Sequence, residues 1–157
     1  MANYIWLAFA NGSYLFHLKN KRIAEVEANC NAGFGEIYAR LETGTIVYQD
    51  DDGTMRVHAD PREARWKNNE ITEVIRQGLL GGAKCIIDGD EKDVTPARVD
   101  ALLKNYLDDQ PLIEAWKLAR AVAIATMEGY EPPKAEAEAD PDQTPTENPT
   151  NITASSE

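Results

Sequence analysis

The side chains best able to bind a metal ion or to transfer a proton are two histidines, His17 and His58. Each lies in a run of residues typical of a strand, and neither has a second histidine or a cysteine at the spacing of a zinc site. Asp60 is close enough in sequence to share an ion with His58, but two ligands do not complete a site. The pattern therefore favours two surface or half-buried histidines and predicts no metal centre.

A run of aspartates at Asp88, Asp90 and Asp93 suggests a calcium-binding loop. In a loop of the EF-hand type that starts at Asp88, the last ligand must be a glutamate that binds through both oxygens, and that position is Val99. Lys92 also stands where a ligand is required. The register therefore excludes this type of loop, and the segment predicts a polar linker.

Motifs for nucleophilic catalysis or phosphate binding are missing from the sequence. The glycines at Gly33, Gly35 and positions 78–82 form neither GxGxxG nor a Walker loop, and GxSxG does not occur. Cys30 and Cys85 lie far apart without a CxxC motif, which favours two buried thiols and leaves a disulfide open. We therefore expect neither an enzyme nor a bound cofactor.

The net charge of -11 bears on the class of partner. An acidic surface repels nucleic acid, whose binding depends largely on Lys and Arg, and it repels anionic membranes as well. No run approaches the ~18 apolar residues of a membrane span, and the start of the chain lacks the basic region of a secretion signal. We expect no nucleic-acid or membrane partner, and a location in a cytoplasm.

Two hairpins and two short helices are predicted in the first half of the chain. Asn11-Gly12 separates two aromatic-rich runs and predicts a hairpin of residues 4–9 and 13–18 with a type I′ turn. A helix capped by Asn20 and a helix from Phe34 to Leu41 follow. Residues 45–49 and 54–59 then predict a second, more polar hairpin.

The second half predicts three helices. A turn at 60–63 leads into a helix that starts after Asn68 or Asn69 and ends at Gly81-Gly82. Thr95-Pro96 opens the next helix, and Gln110-Pro111 opens the last, which runs to about Met127.

These elements predict an α+β fold: a mainly helical single domain at residues 1–130 with an N-terminal β-hairpin. Residues 131–157 differ in composition, because they hold seven acidic residues and one lysine, which is -6 of the total charge, and few large apolar side chains. Such a segment cannot offset the entropy lost on ordering, so it predicts a disordered acidic C-terminal tail.

The last predicted helix is apolar on nearly all its faces, which is more than the core of a small domain needs. Trp6 and Trp116 are predicted on core faces, whereas Trp66 stands among arginines, a composition found in interface anchors. We therefore predict a partner-binding surface in which Trp66 joins a strip of the last helix at Lys117, Ala121 and Met127. Complete burial of this strip inside the domain is the alternative.

Five segments in this order and spacing carry a family resemblance: 20–30, 33–41, 70–82, 111–120 and 128–133. Together they resemble the small tail proteins of gene transfer agents and related siphophages, a family described as tail tube or tail assembly chaperone. The resemblance covers about residues 10–133. Relative to that family, residues 44–68 are an insertion, and the glycine string after Leu80 is short.

The resemblance implies a tail assembly chaperone that binds the tape measure protein or the major tail tube protein in the host cytoplasm until the tail polymerises. It leaves open whether the protein self-associates and whether it stays in the finished virion. A structural tail tube component is one alternative. A small acidic regulatory protein that occupies a basic site by charge mimicry is another.

Overall fold

The computed structural model describes residues 1–132, in which two helices pack on one face of a four-stranded antiparallel sheet and a separate hairpin stands beside the last helix. This arrangement confirms the predicted α+β class. Apart from Glu131 and Pro132, the predicted acidic tail lies outside the described residues. In chain order the elements are β1 Tyr4–Phe9, β2 Gly12–His17, α1 Asn20–Cys30, α2 Phe34–Glu42, β3 Thr45–Gln49, β4 Met55–Ala59, α3 Asn68–Gly82, β5 Lys84–Ile87, β6 Asp90–Asp93, α4 Pro96–Leu102, a π-helical turn Leu103–Leu107, and α5 Leu112–Glu128.

The N-terminal hairpin is confirmed, but its predicted turn is wrong by one residue. Phe9 pairs with Gly12, so the two-residue loop is Ala10-Asn11, and of these two only Ala10 has a positive φ, of 53°. A type I′ turn needs a positive φ at both positions, so the turn is of another type. A Cβ on Gly12 would lie 2.5 Å from the carbonyl oxygen of Ile86, so this glycine serves the close approach of β5 and not the turn.

The predicted polar linker after α3 is also wrong, because these residues form a third hairpin. Asp88 and Gly89 have φ values of 53° and 83°, as a type I′ turn between β5 and β6 requires. β5 pairs antiparallel with β2, and the strand order of the sheet is β1-β2-β5-β6. The aspartates of the supposed calcium loop therefore belong to a turn and an edge strand.

The helices follow the predicted boundaries closely. The N-cap residue of α1 is Lys19, not Asn20, and it makes no side-chain capping bond. Thr95 caps α4 as predicted, because its hydroxyl oxygen accepts a hydrogen bond of 3.2 Å from the backbone N–H of Arg98. α3 ends at Gly82 with Ala83 in the left-handed conformation.

The core lies between the inner face of the sheet and helices α3 and α5. Tyr14 and Phe16 lie on one face of β2, and Leu18 directly follows the strand; all three are fully buried, as the pattern of the sequence predicts. Trp116 is fully buried too, and its indole N–H donates to the carbonyl oxygen of Leu41 at 2.8 Å. α5 is therefore held against both the sheet and the end of α2.

Trp6 does not lie on the core face, contrary to the sequence prediction. It pairs with Leu15, whereas the neighbouring pairs Ile5–Phe16 and Leu7–Tyr14 carry the buried side chains of β2. Because side chains alternate along a strand, Trp6 points to the outer face of the sheet, where it is half-buried.

Buried polar groups join α3 to α1 and α2. The carboxylate of Glu70 is 1% exposed and accepts two hydrogen bonds from the guanidinium of Arg40, one of them 3.1 Å long. Glu73 accepts from the side-chain amide of Asn29 at 2.6 Å, and Arg22 donates to Gln77 at 3.1 Å. Each buried polar side chain of α3 is thus partnered by a side chain of a neighbouring helix.

Candidate partner-binding surface

The hairpin of β3 and β4 exposes an unusual amount of apolar surface. Its two strands pair only with each other within residues 1–132, so no second sheet covers them. Ile46, Val47, Tyr48 and Met55 are 44%, 54%, 48% and 62% exposed. Neighbouring apolar residues point to opposite faces of a strand, so both faces of this hairpin present apolar side chains to solvent.

The base of the hairpin is fixed to the domain even though its strands are exposed. Ala59 is buried, and the backbone N–H of Asp60 donates to the carbonyl oxygen of Gly44 at 2.8 Å. After the hairpin, Trp66 stacks on Trp116 of α5, with ring centroids 5.8 Å apart and an angle of 20° between the ring planes. The base of the hairpin is therefore attached to the domain through a backbone hydrogen bond and an aromatic stack, whereas the strands themselves are exposed.

β4 packs beside α5, and the two elements enclose a groove of about 520 Å³. Tyr48, Met55 and Val57 supply the apolar part of the hairpin wall, and Ala121 supplies a small residue on the helix wall. Apolar side chains on both walls of a groove between a hairpin and a helix could receive the apolar stripe of a partner helix.

The groove contains basic side chains although the chain as a whole is acidic. Arg56, Lys117 and Arg120 line it, together with His58. Each cation has an acidic neighbour: Arg56 lies 2.7 Å from Asp50, Lys117 3.6 Å from Glu114 and Arg120 2.9 Å from Glu42. An acidic residue of a partner would share these cations with their acidic neighbours, so the ion pairs can set the orientation of a partner more than they add to its affinity.

The four residues predicted from the sequence fall into three places. Lys117 and Ala121 line the groove together, and both are partly exposed. Met127 is 47% exposed near the end of α5 and is not part of the groove lining. Trp66 is half-buried in its stack on Trp116. The strip is therefore not fully buried, which removes the alternative, and a role of these residues in partner binding stays a prediction.

Sequence reasoning missed the hairpin wall of this surface. The signal for it is the run Ile46, Val47 and Tyr48, because three consecutive apolar residues cannot all face the core from one strand. The groove itself depends on the contact between β4 and α5, which are distant in the sequence.

Comparison with protein-family models, curated proteins and solved structures found no match to the chain. The resemblance to phage tail proteins therefore rests on the order and spacing of the sequence segments alone.

Within the described residues, His17 and the two cysteines have no neighbours that would activate them for catalysis. His17 lies 3.0 Å from the side-chain oxygen of Asn3, and burial and the nearby charge of Lys19 lower its pKa. Cys30 and Cys85 are free thiols, and burial together with Glu70 and Glu73 raises the pKa of Cys30. A raised pKa lowers the reactive thiolate fraction.

Within residues 1–132 no three His, Cys, Asp or Glu side chains are grouped closely enough to hold a metal ion. In the same part of the chain, no helix combines the length and the apolar character needed to cross a bilayer.

Proposed function

We propose that this protein is a tail assembly chaperone that binds the tape measure protein or the major tail tube protein during assembly of a phage or gene-transfer-agent tail. The observation that supports this proposal best is the exposed apolar hairpin of β3 and β4, which is attached at its base and stands beside the groove on α5. The choice of a tail protein as the partner rests on the resemblance in the order and spacing of the sequence segments.

The physical task is to cover an apolar stripe of a partner that would otherwise self-associate. An amphipathic helix is the partner segment that we propose for the groove. Its apolar stripe would lie against Val57 and Ala121, and carboxylates beside the stripe would join the ion pairs of Arg56 and Lys117. A long helical protein such as a tape measure offers such stripes repeatedly. Binding would then be lost when tail polymerisation buries those stripes elsewhere.

Copurification with the two proposed partners tests the proposal. We expect the chain to retain the tape measure or tail tube protein when co-expressed with each one separately. Ala121→Glu should abolish this retention, because it places a carboxylate in the groove opposite the acidic partner. Ala24→Glu is the matched control, since Ala24 is an exposed alanine of α1 outside the groove and its substitution should leave retention unchanged.

Two results would contradict the proposal: wild type that retains neither of the two proteins, or full retention by Ala121→Glu. Mass spectrometry of finished particles separates the chaperone from the structural alternative, because a tail tube component stays in the virion at high copy number and a chaperone leaves it.

A further inference from the structure

The strand β1 lies at an edge of the four-stranded sheet and lacks the usual protection against pairing with another chain. It has the sequence YIWLAF, without a charge or a proline, whereas β6 at the opposite edge consists entirely of charged residues, Asp90–Asp93. Proteins protect an edge strand with charged side chains or proline, or they cover it with a loop or a helix. For β1, a cover is the protection that remains.

The register of the N-terminal hairpin shows which backbone groups of β1 need this cover. Phe9 and Gly12 close the two-residue loop and bond to each other, and bonding toward β2 then recurs at every second residue of β1. Tyr4, Trp6 and Ala8 lie between those residues, so their N–H and carbonyl groups point away from β2. Within residues 1–132 no strand pairs with β1 on that side. These three residues define the open edge of β1.

A groove of about 600 Å³, the β1 groove, lies at this open edge. Tyr4, Trp6 and Ala8 line it together with Ser13 of β2. Tyr4 is 42% exposed, Ala8 is exposed and Trp6 is half-buried. Among the described residues of the lining, Glu131 has the one charged side chain. The sheet therefore presents an aromatic and uncharged surface to whatever occupies the groove.

The described part of the chain ends in the β1 groove. Ala2 and Tyr130 exchange two backbone hydrogen bonds, of 3.1 Å and 2.7 Å, and Glu131 and Pro132 then line the groove. Residues 133–157 therefore start at the groove and are tethered to it. A short tether gives a segment an effective concentration in the millimolar range. The continuation of the same chain is thus favoured over a strand that must come from solution.

The sequence that follows Pro132 has the composition of an edge cover. Residues 134–140 read KAEAEAD, in which alanines alternate with acidic residues. In an extended chain the alanines lie on one face and the acidic side chains on the other. Alanine and proline lose no side-chain entropy on burial, so the cost of ordering this segment falls mainly on the backbone. Its acidic face also carries the charge that β1 lacks.

We propose that residues 134–140 of the same chain lie extended along the β1 groove and cover the open edge of β1. Their alanines face Tyr4 and Trp6, and their acidic side chains face solvent. The open edge from Tyr4 to Ala8 spans about 13 Å, a length that about four residues of extended chain cover. The disorder predicted from the composition of the tail then applies only to residues 141–157.

The path of the chain into the groove requires one turn. Tyr130 runs antiparallel to Ala2, so a straight continuation would pass beyond Met1 and away from the open edge. A β-turn with Pro133 at its second position reverses this direction, and proline is favoured there because its fixed φ suits the turn. The alternating alanines begin where this turn ends.

Electrostatics also favour this site for an acidic segment. Residues 131–157 carry -6 of the net charge of -11, and residues 1–18 contain no charged side chain, which leaves -5 on residues 19–130. The body as a whole therefore repels an acidic segment, whereas the N-terminal hairpin does not.

This inference does not depend on the proposed function, because the β1 groove and the groove at α5 share no lining residue. The two can fail separately. A chain that retains a tail protein while residues 134–140 stay unordered would overturn only the cover, and the reverse result would overturn only the proposed function.

Nuclear magnetic resonance relaxation of the full, isotope-labelled chain tests the cover. We expect backbone order parameters above about 0.6 for residues 134–140 and below that value for residues 150–157. The Cα chemical shifts of residues 134–140 should be those of an extended chain. Order parameters as low as those of residues 150–157 would overturn the proposal. Helical shifts would overturn it too, since alanine and glutamate are good helix formers.

Two pairs of matched variants locate the contact. Trp6→Ser should release residues 134–140, whereas Ile86→Ser should not, because Ile86 lies on the same outer face of the sheet but outside the β1 groove. Ala137→Glu should also release the segment, and it leaves the sequence of the folded body unchanged; Ala154→Glu is its control near the chain end. A segment that stays ordered in Trp6→Ser and in Ala137→Glu, or that is released equally by the controls, would contradict the contact.

Dilution identifies the source of the covering segment. A segment from the same chain stays ordered at every protein concentration, whereas a segment from a second copy is released as the concentration falls. We expect order parameters of residues 134–140 that do not change with concentration. A decrease on dilution would overturn the proposal that the chain covers its own edge.

Discussion

The indole of Trp66 stacks on the indole of Trp116, with ring centroids 5.8 Å apart and an angle of 20° between the ring planes. Trp116 is fully buried in α5, and Trp66 lies in the segment that leads from the exposed hairpin into α3. A single aromatic pair therefore joins the hairpin side of the proposed binding surface to its helix side.

Truncation of Trp66 should loosen this connection and destabilise the protein. We expect Trp66→Ala to lower the free energy of unfolding by about 2–3 kcal/mol, below the range for a fully buried aromatic residue because Trp66 keeps part of its surface exposed. Trp66→Phe keeps a stacked ring and should recover most of the loss. Urea denaturation measures both, and equal stability of Trp66→Ala and wild type would show that the stack contributes little.

Removal of Arg40 should be far more damaging than its partly exposed position suggests. Its partner Glu70 is 1% exposed, so Arg40→Met leaves a buried carboxylate without its counter-ion, which costs about 3–5 kcal/mol. Replacing both residues, as Arg40→Met with Glu70→Leu, should return much of the stability because no charge is then left buried. Thermal or denaturant unfolding of the single and double variants measures the difference.

The exposed ion pair of the same arginine provides the control. Glu36 lies 2.8 Å from Arg40 across one helical turn, but its side chain is 60% exposed. Glu36→Gln should therefore leave the stability of the protein almost unchanged, because solvent screens an exposed ion pair. A comparable loss in Glu36→Gln and Arg40→Met would show that burial of Glu70 does not govern the effect.

Alkaline pH should weaken the contact between α2 and the end of α5. The hydroxyl of Tyr38 donates to the carboxylate of Glu128, and this bond, followed by burial, raises the pKa of Tyr38 to about 12. The folded protein holds the proton more tightly than the unfolded chain, so this contribution is complete below the ordinary tyrosine pKa of 10.0 and is lost as the pH rises to about 12. Denaturant unfolding between these pH values should show the stability of wild type approaching that of Tyr38→Phe. A constant difference between the two would contradict the bond.

The N-terminal hairpin and the helices were accessible from the sequence because local patterns determine them. The alternation of side chains along β2 places Tyr14 and Phe16 on one face of the strand. Thr95 caps α4 through a hydrogen bond within the first turn of that helix. The exact position of the hairpin turn could not be predicted from the sequence. Gly12 is needed because the backbone of Ile86, in a strand distant in the sequence, approaches it closely. No local pattern contains that contact.

The third hairpin and the binding groove were missed for a different reason. Asp88-Gly89 is a strong hairpin signal, but β6 is wholly charged and shows no alternation, since as an edge strand it buries no face in the core. Ala121 was found from the apolar surplus of α5. The opposite wall of the groove comes from β4, whose position beside α5 is a matter of tertiary packing.

The glycines at the end of α3 do more than terminate a helix, and their substitution should be costly. An added Cβ would lie 1.9 Å from the carbonyl oxygen of His17 at Gly81, and 2.0 Å from that of Leu15 at Gly82. Both carbonyl oxygens belong to the backbone of β2, so they cannot rotate away as a side chain could. To make room for the added Cβ, α3 would have to move away from the sheet. Alanine favours the helix by up to about 1 kcal/mol over glycine, but the forced displacement should outweigh this gain.

We therefore expect Gly81→Ala to lower the free energy of unfolding by at least about 2 kcal/mol, within the range found for overpacked cores. Gly35→Ala is the matched control, because Gly35 is exposed in α2 and an added Cβ there meets nothing within 4 Å. The same substitution at that position should stabilise the protein by about 0.4–1 kcal/mol, since alanine restricts the unfolded chain more than glycine does. Denaturant unfolding of the two variants should thus give shifts of opposite sign. Shifts of the same sign would mean that α3 does not approach β2 as closely as the backbone distances at Gly81 and Gly82 require.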